Sequence, residues 1–138
     1  MRALVQRVAR ASVAAEGGPL TSIGPGLLVL LGVAPDDTED VADRIADKVR
    51  ALRVFDDADG RMNEALGDRE VLCVSQFTLY ADTKKGNRPS FVGAAHPEVA
   101  EPLYQRVCER LGAERGEFGA RMQVELVNDG PVTILLES

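Results

Sequence analysis

Residues 27–33 read Leu-Leu-Val-Leu-Leu-Gly-Val, an unbroken apolar run that follows the turn residues Gly24-Pro25-Gly26. A run of this length without polar alternation predicts a strand that is buried on both faces. Residues 71–74, Val-Leu-Cys-Val, predict a second strand of the same kind, which delivers Ser75-Gln76 at its end. The two segments therefore predict interior strands of a sheet.

Two further segments have the apolar spacing of amphipathic helices. In residues 38–52 apolar side chains recur every three or four positions, after the N-cap candidates Asp36-Asp37-Thr38. Residues 97–112 repeat this spacing, and Pro97 suits the first turn of a helix. Pro102 lies inside the second pattern and should bend that helix or delay its start.

Shorter patterns predict the remaining strands. Alternating and β-branched residues indicate strands at 2–8, 10–16, 20–23 and 53–55, and a closing hairpin of 122–127 and 132–136 turns around Asn128-Asp129-Gly130. Strands outnumber helices, and helices follow only two of them. The sequence thus predicts one α+β domain over residues 1–138, with a curved, mostly antiparallel or mixed sheet.

The composition excludes several classes of protein. No stretch reaches the roughly 18 apolar residues of a membrane span, and charges interrupt the N-terminal segment too often for a signal peptide. The two cysteines, Cys73 and Cys108, lie in apolar runs without metal-ligand or CxxC spacing, which is typical of buried thiols in a reducing compartment. We therefore expect a soluble cytoplasmic protein that needs no metal or other cofactor.

Charge is distributed unevenly along the chain. The net charge of −6 argues against a general nucleic-acid coat protein, since phosphate binding relies on Lys and Arg. Residues 36–48 carry six acids against two bases, as expected of a solvated helix face. Residues 83–91 hold Lys84, Lys85 and Arg88 and no acid. A small basic loop on an acidic body suits contact with one end of a polyanion.

Two motifs that suggest chemistry do not meet its requirements. Asp57-Ala58-Asp59-Gly60 resembles a calcium loop, but an EF-hand register would place Phe55 and Leu66 at ligand positions, so a tight turn is expected. The lone His96 has no His or Cys at ligand spacing, and it precedes Pro97, which favours an exposed or capping residue. No Gly-x-Ser-x-Gly elbow occurs.

Small polar residues adjoin hydrophobic strands at two places. They are Ser75-Gln76-Phe77-Thr78-Leu79, followed by Arg88-Pro89-Ser90-Phe91, and Asn128-Asp129-Gly130-Pro131-Val132-Thr133. Neither place contains a His, a Cys or a paired carboxylate, so any chemistry there relies on backbone and hydroxyl groups. Taken singly, these segments also fit an ordinary strand end, a solvated loop and a hairpin turn. Spacing alone predicts an α+β domain with a polar cleft.

The chain closely resembles the D-aminoacyl-tRNA deacylases from end to end. The resemblance rests on 1–8 with 11–13, on 26–33, on Ser75-Gln76-Phe77-Thr78-Leu79, on Arg88-Pro89-Ser90-Phe91, and on 122–124 and 126–133. It implies a barrel-like α+β homodimer with two active sites at the subunit interface. It also implies hydrolysis of the ester that joins a D-amino acid to the terminal adenosine of tRNA.

The resemblance further assigns roles to residues of this chain. Ser75, Gln76, Phe77 and Thr78 line the site, and backbone N–H groups around Phe77 and Thr78 are the natural donors to a tetrahedral oxyanion. Gly130-Pro131 is a cis peptide that enters the partner's pocket and excludes L side chains. Glycyl esters have no side chain to exclude and should also be cleaved. The substrate's 2′-hydroxyl assists the reaction. From the charge of the basic loop, and not from the resemblance, we expect Lys84, Lys85 and Arg88 to contact the tRNA.

Two other classes of function remain open at this stage. A non-catalytic small-molecule or nucleotide-binding module could use the same interfacial cleft. A DNA-associated factor is suggested only by the basic loop, and the acidic pI of 4.8 argues against it. The sequence therefore predicts tRNA and a second copy of the chain as partners, with neither DNA nor a membrane.

Overall fold

The computed structural model describes all of residues 1–138. It contains two α-helices, one 3-10 turn at Phe77–Tyr80 and eight strands. The helices are α1 (Glu39–Ala51) and α2 (Pro97–Leu111). The strands are β1 (Arg2–Ala15), β2 (Leu20–Ile23), β3 (Gly26–Gly32), β4 (Phe55–Asp56), β5 (Met62–Glu64), β6 (Glu70–Ser75), β7 (Glu114–Arg115) and β8 (Met122–Glu137).

Six strands form one mixed sheet. Strand β8 pairs antiparallel along one edge of β1, while β2 and β3 pair antiparallel along its other edge. Strand β6 then pairs in parallel with β3, and β7 pairs in parallel with β6. Because β7 comes back towards β2, the sheet curves until it is nearly closed as a barrel. The predicted α+β class with a curved, barrel-like mixed sheet is confirmed.

The two predicted interior strands are buried on both faces. In β3, Leu27, Val29 and Leu31 pack into a 23-residue core under α1 and α2. Leu28 points to the opposite face, into a seven-residue cluster. Burial of an aliphatic side chain stabilises a fold by about 1.5–3 kcal/mol, so this strand alone contributes much of the core.

Local signals fix both helices where the sequence places them. Thr38 Oγ1 accepts a hydrogen bond from Val41 N at 3.3 Å and caps α1. Helix α2 begins at Pro97 and ends at Leu111, and the C-cap residue Gly112 has a φ of 62° that suits a residue without Cβ. Pro102 does not delay its start. Neither helix is long and apolar enough to cross a membrane.

Two strand predictions were wrong. Residues 2–8 and 10–16 belong to one strand, β1, and the predicted closing hairpin is also one strand, β8. A tight hairpin at Asn128-Asp129-Gly130 needs positive φ, and Gly130 does not adopt it. Instead, four residues of β8 stand opposite Arg7 alone, between the pairs Gln6↔Thr133 and Val8↔Asn128. Pairing with β1 therefore continues through a bulge.

Candidate active site

The end of β6 leads into a short turn that rests on β3. Gln76 N donates to Leu31 O at 2.8 Å, and the chain then forms the 3-10 turn 77–80. A Cβ at Gly32 would lie 3.0 Å from Gln76 O and 3.1 Å from Leu79 Cβ. Glycine at position 32 thus lets the turn pack directly across the neighbouring strand.

The turn presents two backbone donors. Leu79 N donates to Gln76 O, but the N–H groups of Phe77 and Thr78 have no acceptor in the protein. The first N–H groups of any helical turn lack an intrahelical acceptor, and these two follow directly after the strand. Since Phe77 and Thr78 are exposed, a ligand can reach both donors.

The hydroxyl groups beside this turn have no base to activate them. Thr78 Oγ1 accepts a hydrogen bond from Gln76 Nε2. No hydrogen bond joins Ser75 or Thr78 to a histidine, a lysine or a carboxylate. A serine or threonine nucleophile needs an adjacent base, so neither hydroxyl is placed for covalent catalysis.

A cavity of about 520 Å³ opens beside the same turn. Its walls come from four parts of the chain: Leu31 and Val33 at the end of β3, 74–77, the segment 91–100 before and within α2, and 118–124 before and within β8. Most lining side chains are apolar, and the polar ones are Ser75, Gln76 and His96. The rings of Phe77 and Phe91 meet edge to face, with centroids 5.0 Å apart and planes at 72°. Such a cavity suits a flat aromatic group with a few polar edges.

Sequence reasoning missed part of this wall. It placed Ser75, Gln76, Phe77 and Thr78 at the site, and the first three line the cavity while Thr78 does not. It did not place Phe118, Met122 or Val124 there, which complete the cavity. The alternation of β8 puts Met122 and Val124 on one face, yet the sequence does not tell which face meets the end of β6. His96 is the exposed N-cap residue of α2 and forms no side-chain capping bond, and it also borders the cavity.

The Gly130–Pro131 segment is exposed and firmly held. Its peptide bond is cis, as the resemblance implies. Asn128 Nδ2 donates to Arg7 O and to Val132 O, and Arg7 Nε donates to Asp129 O at 2.7 Å. A Cβ at Gly130 would lie 2.3 Å from Val132 N, so only glycine fits there.

This segment does not reach the cavity of its own chain. Ser75 lies in register with Leu31 and Ala3, whereas Gly130–Pro131 lies opposite Arg7. Four residues along β1 separate these rows by about 13 Å, and three strand spacings of about 4.8 Å separate β8 from β6. Within one chain, therefore, the segment 75–78 and the segment 130–131 lie far apart.

The predicted basic cluster lies outside the cavity as well. Lys84, Lys85 and Arg88 are exposed, and none forms an ion pair within the chain. The backbones of Asp82 and Ser90 exchange two hydrogen bonds of 2.7 and 2.9 Å, which close this loop at its base. The three charges are thus displayed on an ordered loop that follows the 3-10 turn.

The aromatic residue that ends the turn has an altered acidity. Burial, together with the negative charge of Asp37, raises the pKa of Tyr80 to about 12. The phenol therefore stays neutral at physiological pH.

No group of three or more His, Cys, Asp or Glu side chains is arranged to hold a metal ion. The polar groups that the site offers are backbone amides, hydroxyls, one amide side chain and one imidazole.

Comparison with known proteins identifies the family. Residues 4–137 match the family model described as D-Tyr-tRNA(Tyr) deacylase. The chain is 57% identical to the D-aminoacyl-tRNA deacylase of Anaeromyxobacter dehalogenans, with 100% of this chain and 97% of that protein covered. It is 54% identical to the same enzyme of Symbiobacterium thermophilum, with 100% and 96% covered.

Solved structures agree with this match. One, titled c-Myc DNA Unwinding Element Binding Protein, superimposes with a TM-score of 0.92 at 44% identity, over 100% of this chain and 99% of that one. A probable eukaryotic D-amino acid tRNA deacylase shares the fold, with a TM-score of 0.86 at 16% identity and coverage of 98% and 97%. The chain therefore belongs to the D-Tyr-tRNA(Tyr) deacylase family and is a hydrolase of the D-aminoacyl-tRNA ester bond.

Proposed function

We propose that the 3-10 turn cleaves the D-aminoacyl ester with its backbone and that no side chain forms a covalent intermediate. The observation that carries this proposal is the pair of exposed N–H groups, on Phe77 and Thr78, that have no acceptor in the protein. A tetrahedral intermediate places negative charge on the former carbonyl oxygen. Two fixed donors stabilise that charge, and the loss of one such donor in other enzymes costs about 10²–10³ in kcat.

The substrate supplies the remaining chemistry in this proposal. Attack by water needs a group that accepts or relays its proton, and no histidine or carboxylate forms a hydrogen bond with Ser75 or Thr78. The 2′-hydroxyl of the terminal adenosine is next to the scissile ester on the same ribose. We assign the proton relay to it, and we place the adenine in the apolar cavity beside Phe77.

A substrate that lacks the terminal 2′-hydroxyl tests this assignment. Single-turnover cleavage of D-Tyr-tRNA ending in 2′-deoxyadenosine should be slower by more than the loss caused by Thr78→Ala or Ser75→Ala. Equal rates on the 2′-hydroxyl and 2′-deoxy substrates would remove the relay from the mechanism.

We further propose that the active enzyme is a homodimer in which Gly130–Pro131 of one subunit borders the cavity of the other. Support comes from the exposure of this segment and from its distance from the cavity of its own chain. Exposed apolar side chains on β8, Val127 and Leu135, suit burial against a second copy.

In this dimer the 130–131 backbone rejects L-aminoacyl esters. A rigid wall on one side of the α-carbon overlaps with an L side chain and leaves a D side chain free. Arg7 and Asn128 hold the segment with hydrogen bonds of 2.7–3.1 Å, which supports the rigidity that this role needs. Glycyl-tRNA carries no side chain, so we propose that it is cleaved as well.

The basic loop completes the proposal by binding tRNA phosphates near the 3′ end. Lys84, Lys85 and Arg88 are exposed and follow the turn that carries the donors. We place the enzyme in the cytoplasm with its substrate, and the two buried free thiols fit a reducing compartment.

DNA binding is a second candidate, because one relative of 44% identity is titled as a DNA unwinding element binding protein. We favour tRNA, because the net charge of −6 leaves only the small basic loop to bind phosphates. So small a patch suits one end of a tRNA better than the length of a DNA duplex. Competition separates the two. Uncharged tRNA should inhibit deacylation at far lower concentration than duplex DNA of equal phosphate content, and equal inhibition would favour DNA.

A further inference from the structure

Arg2 and Gly32 together form the support of the 3-10 turn, and they face each other across β1 and β3. Glycine at position 32 provides the space, since the turn lies 3.0–3.2 Å from the position of a Cβ there. Arg2 then reaches over the neighbouring strand to the far end of the turn.

The guanidinium of Arg2 makes two contacts with the last residues of the turn. Its Nη1 donates to Leu79 O at 2.7 Å, and its Cζ lies 4.5 Å from the centroid of the Tyr80 ring. On the other side, its Nε lies 3.9 Å from a carboxylate oxygen of Glu137 at the end of β8. One side chain therefore ties the turn to the two longest strands of the sheet.

The turn itself has few internal bonds to hold its position. Hydrogen bonds in 3-10 turns have poorer geometry than those in α-helices, and four residues form only one such turn. Its boundary bonds, Leu79 N to Gln76 O and Ala81 N to Thr78 O, measure 3.2 and 3.1 Å. Contacts from outside the turn must therefore set its height above the sheet.

We propose that Arg2 is a positioning residue for deacylation, which fixes the 3-10 turn so that the N–H groups of Phe77 and Thr78 face the reacting carbonyl. This inference rests on the proposal that those N–H groups stabilise the oxyanion. Arg2 itself does not touch the substrate, and its effect should therefore appear in kcat with little change in KM.

The chain contains a matched control. Arg69 also donates to backbone carbonyls, of Ala65 at 3.1 Å and Leu66 at 3.3 Å, and it pairs with Glu64. Its Cζ lies 4.3 Å from the ring centroid of Phe55. The exposed fractions of the Arg2 and Arg69 side chains are 35% and 34%. Arg69 thus makes the same kinds of contact, but not to the turn.

The experiment compares Arg2→Met and Arg69→Met by hydrogen exchange and by kinetics on D-Tyr-tRNA. Arg2→Met should speed exchange in residues 76–81 and lower kcat by about ten- to hundredfold, the range that small misplacement of a reacting group produces. KM should stay within about twofold. Arg69→Met should keep wild-type kcat and wild-type exchange in 76–81.

Arg2→Lys retains the positive charge but cannot match the planar contact with Tyr80 and Leu79. It should recover part of the lost kcat, and it serves as the second variant if Arg2→Met does not fold. Unchanged exchange in 76–81 for both Arg2 variants overturns the inference and leaves the catalytic role of the turn intact. Faster exchange with wild-type kcat overturns the inference and the proposed role of the turn together. An equal kcat loss in Arg69→Met also overturns it, because the effect would then be general.

Discussion

Replacing Arg7 by Met should reduce the selectivity for D-aminoacyl esters, because Arg7 anchors the bulge that carries Gly130–Pro131. Arg7 Nε donates to Asp129 O and its Nη1 to Val54 O, both at 2.7 Å. Its guanidinium also lies 3.5 Å from the Asp129 carboxylate, and its side chain is only 12% exposed. Methionine fills a similar volume and offers no donor.

The size of the effect follows from these bonds. A hydrogen bond to a charged donor contributes roughly 1.5–3 kcal/mol, and the exposed bond to Asp129 contributes least. We therefore expect the free energy of unfolding, measured by urea denaturation, to fall by about 2–4 kcal/mol in total. Arg50→Met, which removes a single donor to Leu111 O away from the bulge, is the matched control.

Selectivity is measured as the ratio of kcat/KM for D-Tyr-tRNA to that for L-Tyr-tRNA. A mobile bulge rejects an L side chain less well, so the ratio should fall by about tenfold or more in Arg7→Met and stay unchanged in Arg50→Met. A loss of stability with an unchanged D-to-L ratio would refute the reasoning, since the anchored segment would then have no part in chiral selection.

Three further predictions concern binding, mechanism and stability. The double variant of Lys84→Ala and Lys85→Ala should bind tRNA more weakly, while saturated single-turnover rates stay nearly unchanged. The slope of the logarithm of the tRNA association constant against the logarithm of salt concentration should become shallower by about one for each lysine that contacts a phosphate. A slope equal to that of the wild type would contradict the assigned role. Thr78→Ala should keep measurable deacylation, and mass spectrometry of quenched turnover should find no acyl-enzyme on the wild type; an acylated Thr78 would overturn the mechanism. The hydrogen bond from Arg106 lowers the pKa of Asp43 in the folded protein. The ionised carboxylate of Asp43 therefore stabilises the fold fully above its pKa in the unfolded chain, about 3.9, and this stabilisation is lost as the pH falls through the lower pKa of the folded protein. Thermal melts of Asp43→Asn should therefore approach those of the wild type as the pH is lowered below about 4, and a gap that stays constant would contradict this.

The sequence predicted well the elements that short-range signals determine. Unbroken apolar runs located β3 and β6, and Thr38 and Pro97 marked the helix starts. These features depend on residues a few positions apart. Ser75-Gln76-Phe77-Thr78 was singled out because polar groups follow a buried strand, and the structure places the first three of these residues in the wall of the cavity.

Long-range pairing explains what the sequence could not predict. Asn128-Asp129-Gly130 has the composition of a hairpin turn, yet pairing with β1 on both sides makes it a bulge within β8. The contact of Arg2 with Leu79 joins residues 77 positions apart. The cavity likewise combines four segments that are distant in sequence, and the wall formed by Phe118 and Met122 follows only from the closure of the sheet.

The proposed selectivity is tested most directly by turnover on a matched pair of substrates. Purified wild-type protein is incubated with D-Tyr-tRNA and with L-Tyr-tRNA, and the rate of ester loss is compared with spontaneous hydrolysis of each. We predict rapid release of D-tyrosine and an acceleration that is far smaller for the L ester. Equal acceleration of both esters would contradict chiral rejection, and acceleration of neither would contradict the assignment of the cavity as an active site.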